Sequence, residues 1–193
     1  MSSGADMKRP VVFLDRDGTI NEEVGYLNHL SRFKLLPRVG EALKLLKEAG
    51  FATVLVTNQS GIARGFFPAS LVEEVHQRLQ EELSRFGAEL DAIYYCPHHP
   101  SDGCRCRKPK PGMVEMAAKE LALDLSRAFV VGDRFTDLLL AREIGAKGVL
   151  VLTGYGRGEL AYYLPRIGLE PDLVAEDLFE AAQKILSHED PSR

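Results

Sequence analysis

Apolar and polar positions follow two rhythms along the chain. Short, nearly unbroken apolar runs at 11–14, 51–56, 92–95, 128–131 and 148–152 are separated by stretches in which apolar residues recur every three or four positions. Such a run reads as a strand buried on both faces, and the wider rhythm reads as an amphipathic helix. One helix is predicted over 37–49, where Val39, Ala42, Leu43 and Leu46 share a face, Pro37 suits the first turn and Gly50 the end. A second is predicted to open at a Ser70-x-x-Glu73 capping box and to turn Val72, Val75, Leu79, Leu83 and Phe86 inward before Gly87. Val114, Ala117, Ala118 and Leu121 mark a third, and Leu138, Ala141 and Ile144 a fourth, closed by Gly145. A strand at 172–175 and a helix at 178–186 complete the pattern. Strands alternating with helices predict an α/β fold, a mostly parallel sheet with helices on both faces in three Rossmann-like layers. In such sheets ligands bind beyond the carboxyl ends of the strands.

No repeat or Pro/Gly/Ser-rich linker divides the pattern, so residues 10–187 are expected to form one domain, with flexible ends at 1–9 and 188–193. At 193 residues and 45% hydrophobic, the chain can fill a core without covalent staples. A formal charge of -4 argues against nucleic-acid or anionic-membrane partners. No apolar run approaches the ~18 residues of a membrane span, and the run at 11–14 is too short for a signal-peptide core. A cytoplasmic protein is expected, and a monomer, since no exposed apolar seam stands out.

The chemistry lies directly after the strands. Asp15-Arg16-Asp17-Gly18-Thr19 places two carboxylates where a buried strand ends, and they would repel unless a cation or proton sits between them. Thr57-Asn58-Gln59-Ser60-Gly61 offers a hydroxyl, amides and backbone N–H groups suited to phosphate oxygens. Gly132-Asp133-Arg134-Phe135-Thr136-Asp137 adds two more carboxylates, and Arg105, Arg107, Lys108 and Lys110 form a short basic run. Taken singly, these are an Asp/Gly turn, a polar loop, a helix start and a solvated face.

All three cysteines fall within eleven residues, in the pattern Cys96-Pro-His98 and Cys104-Arg-Cys106. Three thiolates and an imidazole match tetrahedral Zn²⁺, with His99 as the rival imidazole. A direct Cys104–Cys106 disulfide would be strained by its single intervening residue.

Taken in order, Asp-x-Asp-Gly-Thr, Thr-Asn, Lys108 before a helix and Gly-Asp-x-x-x-Asp resemble the signature motifs of the haloacid dehalogenase superfamily of phosphohydrolases. The runs Phe-Leu-Asp-Arg-Asp-Gly-Thr-Ile-Asn, Thr-Asn-Gln-Ser-Gly-Ile-Ala-Arg-Gly, Tyr-Tyr-Cys-Pro-His-His-Pro and Cys-Arg-Cys-Arg-Lys-Pro-Lys-Pro-Gly-Met are similar to the D-glycero-D-manno-heptose 1,7-bisphosphate 7-phosphatases. The resemblance implies a haloacid dehalogenase fold and a phosphatase working through an aspartyl-phosphate. Asp15 would be nucleophile, Asp17 general acid and base, and Thr57, Asn58 and Lys108 would stabilise the phosphoryl group. It further implies a catalytic Mg²⁺ on Asp15, the Asp17 backbone carbonyl and Asp133, and a structural Zn²⁺ on Cys96, His98, Cys104 and Cys106. Asp137 would orient the lysine or a metal-bound water.

The segments between these motifs leave no room for a cap domain, so loops must recognise the phosphosugar. Glu23, Gly25, Tyr26, Gln59, Ser60, Arg64, Arg107 and Arg134 are the candidates. The rival readings are a histidinol-phosphate phosphatase, which shares the first motif and the zinc loop, a phosphotransferase, a non-catalytic relative, and a zinc-stapled binding module.

Overall fold

The computed structural model describes residues 8–189. Six strands form one sheet in the order β3-β2-β1-β4-β5-β6. They are β1 (Arg9–Leu14), β2 (Ala52–Asn58), β3 (Ala92–Cys96), β4 (Leu123–Gly132), β5 (Lys147–Val151) and β6 (Leu173–Ala175). All five pairings are parallel. Leu14 lies level with Leu55 of β2 and Val131 of β4, so the loops after these three strands open at one edge. The strand order reverses between β1 and β4, the place where such sheets leave a crevice.

Alternation along the strands feeds two separate cores. Val12, Leu14, Leu55, Phe129 and Val131 face α1 (Val39–Glu48), the far end of α2 (Ala69–Ser84) and α7 (Leu178–Glu189). Val11, Phe13, Val54, Val56 and Val130 face α3 (Gly112–Glu120) and α4 (Phe135–Glu143). A smaller cluster of Leu138, Leu150, Leu164 and Leu169 seats a helical stretch after β5. It consists of α5 (Gly156–Gly158), a π-turn (Glu159–Tyr163) and α6 (Leu164–Ile167).

Several expected boundaries move. The capping box at Ser70 does not form, because Pro68 takes the N-cap position in extended conformation and α2 already begins at Ala69. Phe86 lies beyond the last turn of α2 and is 42% exposed, its ring laid against Gly40 of α1 rather than in the core. Pro37 stays outside α1, whose N-cap is Arg38. The fourth strand is longer than its apolar run, since 123–124 pair with the start of β1 across a register shift. Arg9 belongs to β1 and α7 runs through Glu189, so regular structure reaches into the ends expected to be flexible at 1–9 and 188–193; residues 1–7 and 190–193 lie outside the described residues. Among the described residues, none of the helices is long and apolar enough to cross a membrane.

Candidate active site

The last hydrogen bond of β1 carries the chain into the site: the Asp15 N–H donates to Val131 O at 2.9 Å. Lys108 reaches the same point from the loop before α3. Its ammonium lies 2.8 Å from Asp15 Oδ1 and 2.7 Å from Asp137 Oδ1, with only 3% of the residue exposed. Asn58, at the end of β2, fixes that lysine's backbone. Its Oδ1 accepts the Lys108 N–H at 3.0 Å and its Nδ2 donates to Lys108 O at 3.2 Å. Burial pulls the ammonium's pKa down, but the Asp137 and Asp15 charges outweigh it and hold Lys108 protonated.

Asp133 follows β4, and its carboxylate comes within 4.8 Å of those of Asp15 and Asp137. Burial, then the charges of Asp15 and Asp137, push its pKa up to about 9; burial likewise pushes Asp137 up to about 6 against the pull of Lys108. Asp133 Oδ2 accepts the Tyr155 N–H at 2.8 Å, whereas its buried Oδ1 has no partner. Gly18 and Gly154 make room for this carboxylate. A Cβ on Gly18 would fall 2.2 Å from Asp133 Oδ2, and one on Gly154 would fall 2.1 Å from it. Both glycines have positive φ, of 82° and 53°, a conformation that glycine adopts without strain. Three clustered carboxylates, one with an orphaned buried oxygen, fit a hard divalent cation.

Asp17 is held quite differently. The fully buried Arg16 forks onto it, Nε donating to Oδ1 at 3.3 Å and Nη2 to both oxygens at 3.1 and 3.0 Å, while Asn21 Nδ2 donates to Oδ1 at 2.9 Å and Gln59 Nε2 to Oδ2 at 2.9 Å. Burial raises the carboxyl, but Arg16 and these amides more than offset it and hold it below the usual range. Gln59 also donates to Thr57 Oγ1 at 3.0 Å. Its amide is therefore spent bracing two site residues, and it does not line the cleft as expected of a substrate contact. Arg64 likewise lies outside the cleft lining: it sits on an exposed turn, its N–H bonded to Ser60 O.

The cleft above this floor measures about 370 Å³. Glu23, Gly25 and Tyr26 line it from the segment after β1, Asn58, Ser60 and Arg107 from the end of β2 and the loops after β2 and β3, and Arg134, Phe135 and Tyr155 from the segments after β4 and β5. Arg107 forms none of the ion pairs found among the described residues, and its buried Nη1 has no hydrogen-bond partner. An anion in the cleft would supply one.

Beside the cleft the four soft ligands converge. Cys96 Sγ lies 3.5 Å from Cys104 Sγ and 3.2 Å from Cys106 Sγ, and the last two are 3.6 Å apart. His98 Nδ1 is 3.6 Å from Cys96 Sγ and 3.2 Å from Cys106 Sγ. A zinc–sulfur bond of ~2.3 Å implies tetrahedral edges of roughly 3.8 Å, so this cluster is a slightly contracted metal-sized tetrahedron. His99 turns away: its Nδ1 bonds Ser101 Oγ at 2.7 Å and caps the 3-10 turn at Pro100–Asp102. All three cysteines are free thiols.

A family model described as polynucleotide kinase 3 phosphatase matches residues 10–141, and one described as HAD-hydrolase-like matches residues 105–181. The D-glycero-D-manno-heptose-1,7-bisphosphate 7-phosphatase of Thermosynechococcus vestitus is 44% identical, over 94% of this chain and 98% of the relative. The chain belongs to this phosphatase family. A second member, the D-glycero-beta-D-manno-heptose-1,7-bisphosphate 7-phosphatase of Pseudomonas aeruginosa, is 41% identical over 93% of this chain and 99% of its own. Among solved structures, the B. bronchiseptica D,D-heptose 1,7-bisphosphate phosphatase complexed with magnesium and phosphate superposes with a TM-score of 0.84, at 38% identity over 94% of this chain and 99% of that one.

The chain also carries site residues that its sequence pattern did not single out. Arg16 stands between the two motif aspartates yet is the most voluminous fully buried side chain described. Thr153, Gly154 and Tyr155 follow β5 directly, where the rule of looking past each strand end would have found them. Thr153 Oγ1 donates to Gly18 O at 2.6 Å and ties this loop to the first motif.

Proposed function

We propose that this chain removes the 7-phosphate of D-glycero-D-manno-heptose 1,7-bisphosphate, with Asp15 as nucleophile. The observation that carries this reading is the division of labour in one cleft, a lysine clamped on the nucleophile in the floor and separate arginines in the walls. The first serves the phosphoryl group that leaves, the second the one that stays. The family's printed substrate supports the same assignment.

The Asp15 carboxylate attacks phosphorus as the bond from phosphorus to the sugar oxygen breaks, and Asp17 delivers a proton to that oxygen. Water then attacks the acyl phosphate, and Asp17 takes back the proton as Asp15 is released. Lys108 stays protonated throughout and neutralises Asp15 and the equatorial oxygens. Thr57 Oγ faces the phosphoryl group while Asn58 acts through the lysine backbone. Asp17 rests ionised in the Arg16 fork, ready to accept a proton. To donate one it must first leave that fork and take up a proton from solvent, the carboxylic acid then protonating the sugar oxygen.

A magnesium ion on Asp15, Asp133 and the Asp17 carbonyl would neutralise charge on the phosphoryl oxygens. Zinc on Cys96, His98, Cys104 and Cys106 has no open position and would fix the loop that delivers Arg107 and Lys108. We carry forward a cytoplasmic monomer acting on a small soluble phosphosugar, which light scattering of the purified chain tests in part.

The deciding experiment measures phosphate release from the heptose bisphosphate and from histidinol phosphate, with and without Mg²⁺, for wild type and Asp15→Asn. Mg²⁺-dependent preference for the bisphosphate, abolished in the variant, is expected. Equal or better turnover of histidinol phosphate overturns the substrate; near-wild-type turnover by the variant overturns the nucleophile.

A further inference from the structure

Arg134 is held by two residues of the segment after β5. Glu159 opens the π-turn, where the Leu164 N–H bonds back to the Glu159 carbonyl. Its side chain is buried at 8% residue exposure, turned inward under the cleft wall. One carboxylate oxygen, Oε2, accepts the N–H of Phe135, the first residue of α4, at 3.3 Å, and the other, Oε1, lies 3.3 Å from Arg134 Nε. On the other side the guanidinium carbon sits 4.5 Å from the centroid of the Tyr155 ring. Arg134 itself is 43% exposed in its side chain and lines the cleft together with Tyr155.

A carboxylate bonded at Nε and an aromatic face beneath the plane determine where a guanidinium points. What remains free is the terminal pair of nitrogens, the fork that grips phosphate bidentately. A long side chain already ordered in this way loses little freedom when an anion arrives. Arg107 differs, because it forms none of the ion pairs found among the described residues and lies next to Lys108.

Resting on the reading of a bisphosphate substrate, we propose that Glu159 is a positioning residue that sets Arg134 on the Tyr155 ring as the anchor for the phosphate retained on the sugar. Buried acids at helix starts also have a plain structural use, since Oε2 would stabilise α4 without any substrate. The two roles separate in kinetics. An anchor for the retained phosphate acts on substrates that carry it, and its positioning residue acts only while the anchor is present.

The test is a double-mutant cycle in the full chain with Mg²⁺, using Glu159→Gln, Arg134→Met and the pair, each on the heptose 1,7-bisphosphate and on heptose 7-phosphate, which lacks the second phosphate. Glu159→Gln is expected to raise KM for the bisphosphate about tenfold with kcat changing less than threefold. The preference for bisphosphate over monophosphate should fall by the same factor of about ten. In the Arg134→Met background the further effect of Glu159→Gln should shrink to less than twofold. A Glu159→Gln effect equal on both substrates, undiminished without Arg134, or absent from KM overturns the positioning role. A wild type that hydrolyses the monophosphate but not the bisphosphate overturns the substrate reading and this inference together.

Discussion

Removing magnesium should make the protein's stability fall as pH rises, and Asp133 gives the size of the effect. In the unfolded chain this carboxyl ionises near its ordinary value of 3.8, whereas in the folded, metal-free protein burial and the charges of Asp15 and Asp137 hold its proton to about 9. The folded state therefore binds more protons across that interval, and stability drops with increasing pH. His76 and Asp137 define a clean window. His76 is held down to about 3 by burial and the neighbouring Arg16 charge, so it is neutral in the folded state and, as pH climbs past its ordinary 6.5, becomes neutral in the unfolded state too. Asp137, pushed up to about 6, is by then largely ionised in both states. Between pH 6.5 and about 8, Asp133 dominates at roughly 1.4 kcal/mol per pH unit, or about 2 kcal/mol in all. For a chain of this size that is a fall of about 4–8 °C in Tm.

Thermal melts of protein dialysed free of Mg²⁺, without a strong chelator so that zinc stays, would show this slope. Saturating Mg²⁺ should flatten it, and Asp133→Asn should lack it. A flat metal-free Tm across the window, or a wild-type slope in Asp133→Asn, would refute the reasoning.

Gly154→Ala brings a Cβ to 2.1 Å from Asp133 Oδ2 and 2.7 Å from the Gly18 backbone, so it should weaken Mg²⁺ activation at least tenfold, read from the Mg²⁺ dependence of phosphate release. Arg107→Ala removes a buried, unpartnered donor from the cleft and should raise KM by about tenfold or more, consistent with roughly 1.5–3 kcal/mol for a charged hydrogen bond. Cys106→Ser breaks the tetrahedron; bound zinc should fall from about one per chain toward none by elemental analysis, with kcat lowered because the loop carrying Lys108 loses its anchor.

How far the sequence could be read depended on what each inference needed. Strand positions and the loops beyond them follow from unbroken apolar runs, and the two-core alternation follows from the pleat, so Asp15, Thr57, Lys108 and Asp133 could be located at one sheet edge. Side-chain direction within a loop has no such period. Gln59 and Arg64 sit five residues apart in the same polar segment, yet one is drawn inward by Asp17 and Thr57 while the other points to solvent. His98 and His99 are equivalent until the 3-10 turn at Pro100–Asp102 takes one of them as its cap. The Ser70 motif misled because Pro68, with no N–H to satisfy, fitted the N-cap position two residues earlier. Tyr155 and Glu159 lie in a glycine-rich stretch where neither helical nor strand periodicity is visible, and a π-turn obscures it further.

The charges in the floor impose an order on the site. Asp15, Asp133 and Asp137 lie within 4.8 Å of one another around a single ammonium. Two unit charges at that spacing repel by about 3 kcal/mol at an effective dielectric near 20. With only Lys108 to balance three carboxylates, the floor either keeps a proton, as Asp133 does, or takes a cation. A proton on Asp133 and a divalent ion compete for the same orphaned oxygen, so raising the pH favours the ion. A phosphate dianion adds two more negative charges at this floor, and the wall arginines do not cancel the carboxylates beneath it. Cation binding must therefore accompany or precede productive substrate binding. The fold makes that possible by packing Gly18 and Gly154 against Asp133 Oδ2, where side chains would have displaced the carboxylate, while Oδ1 stays unpartnered.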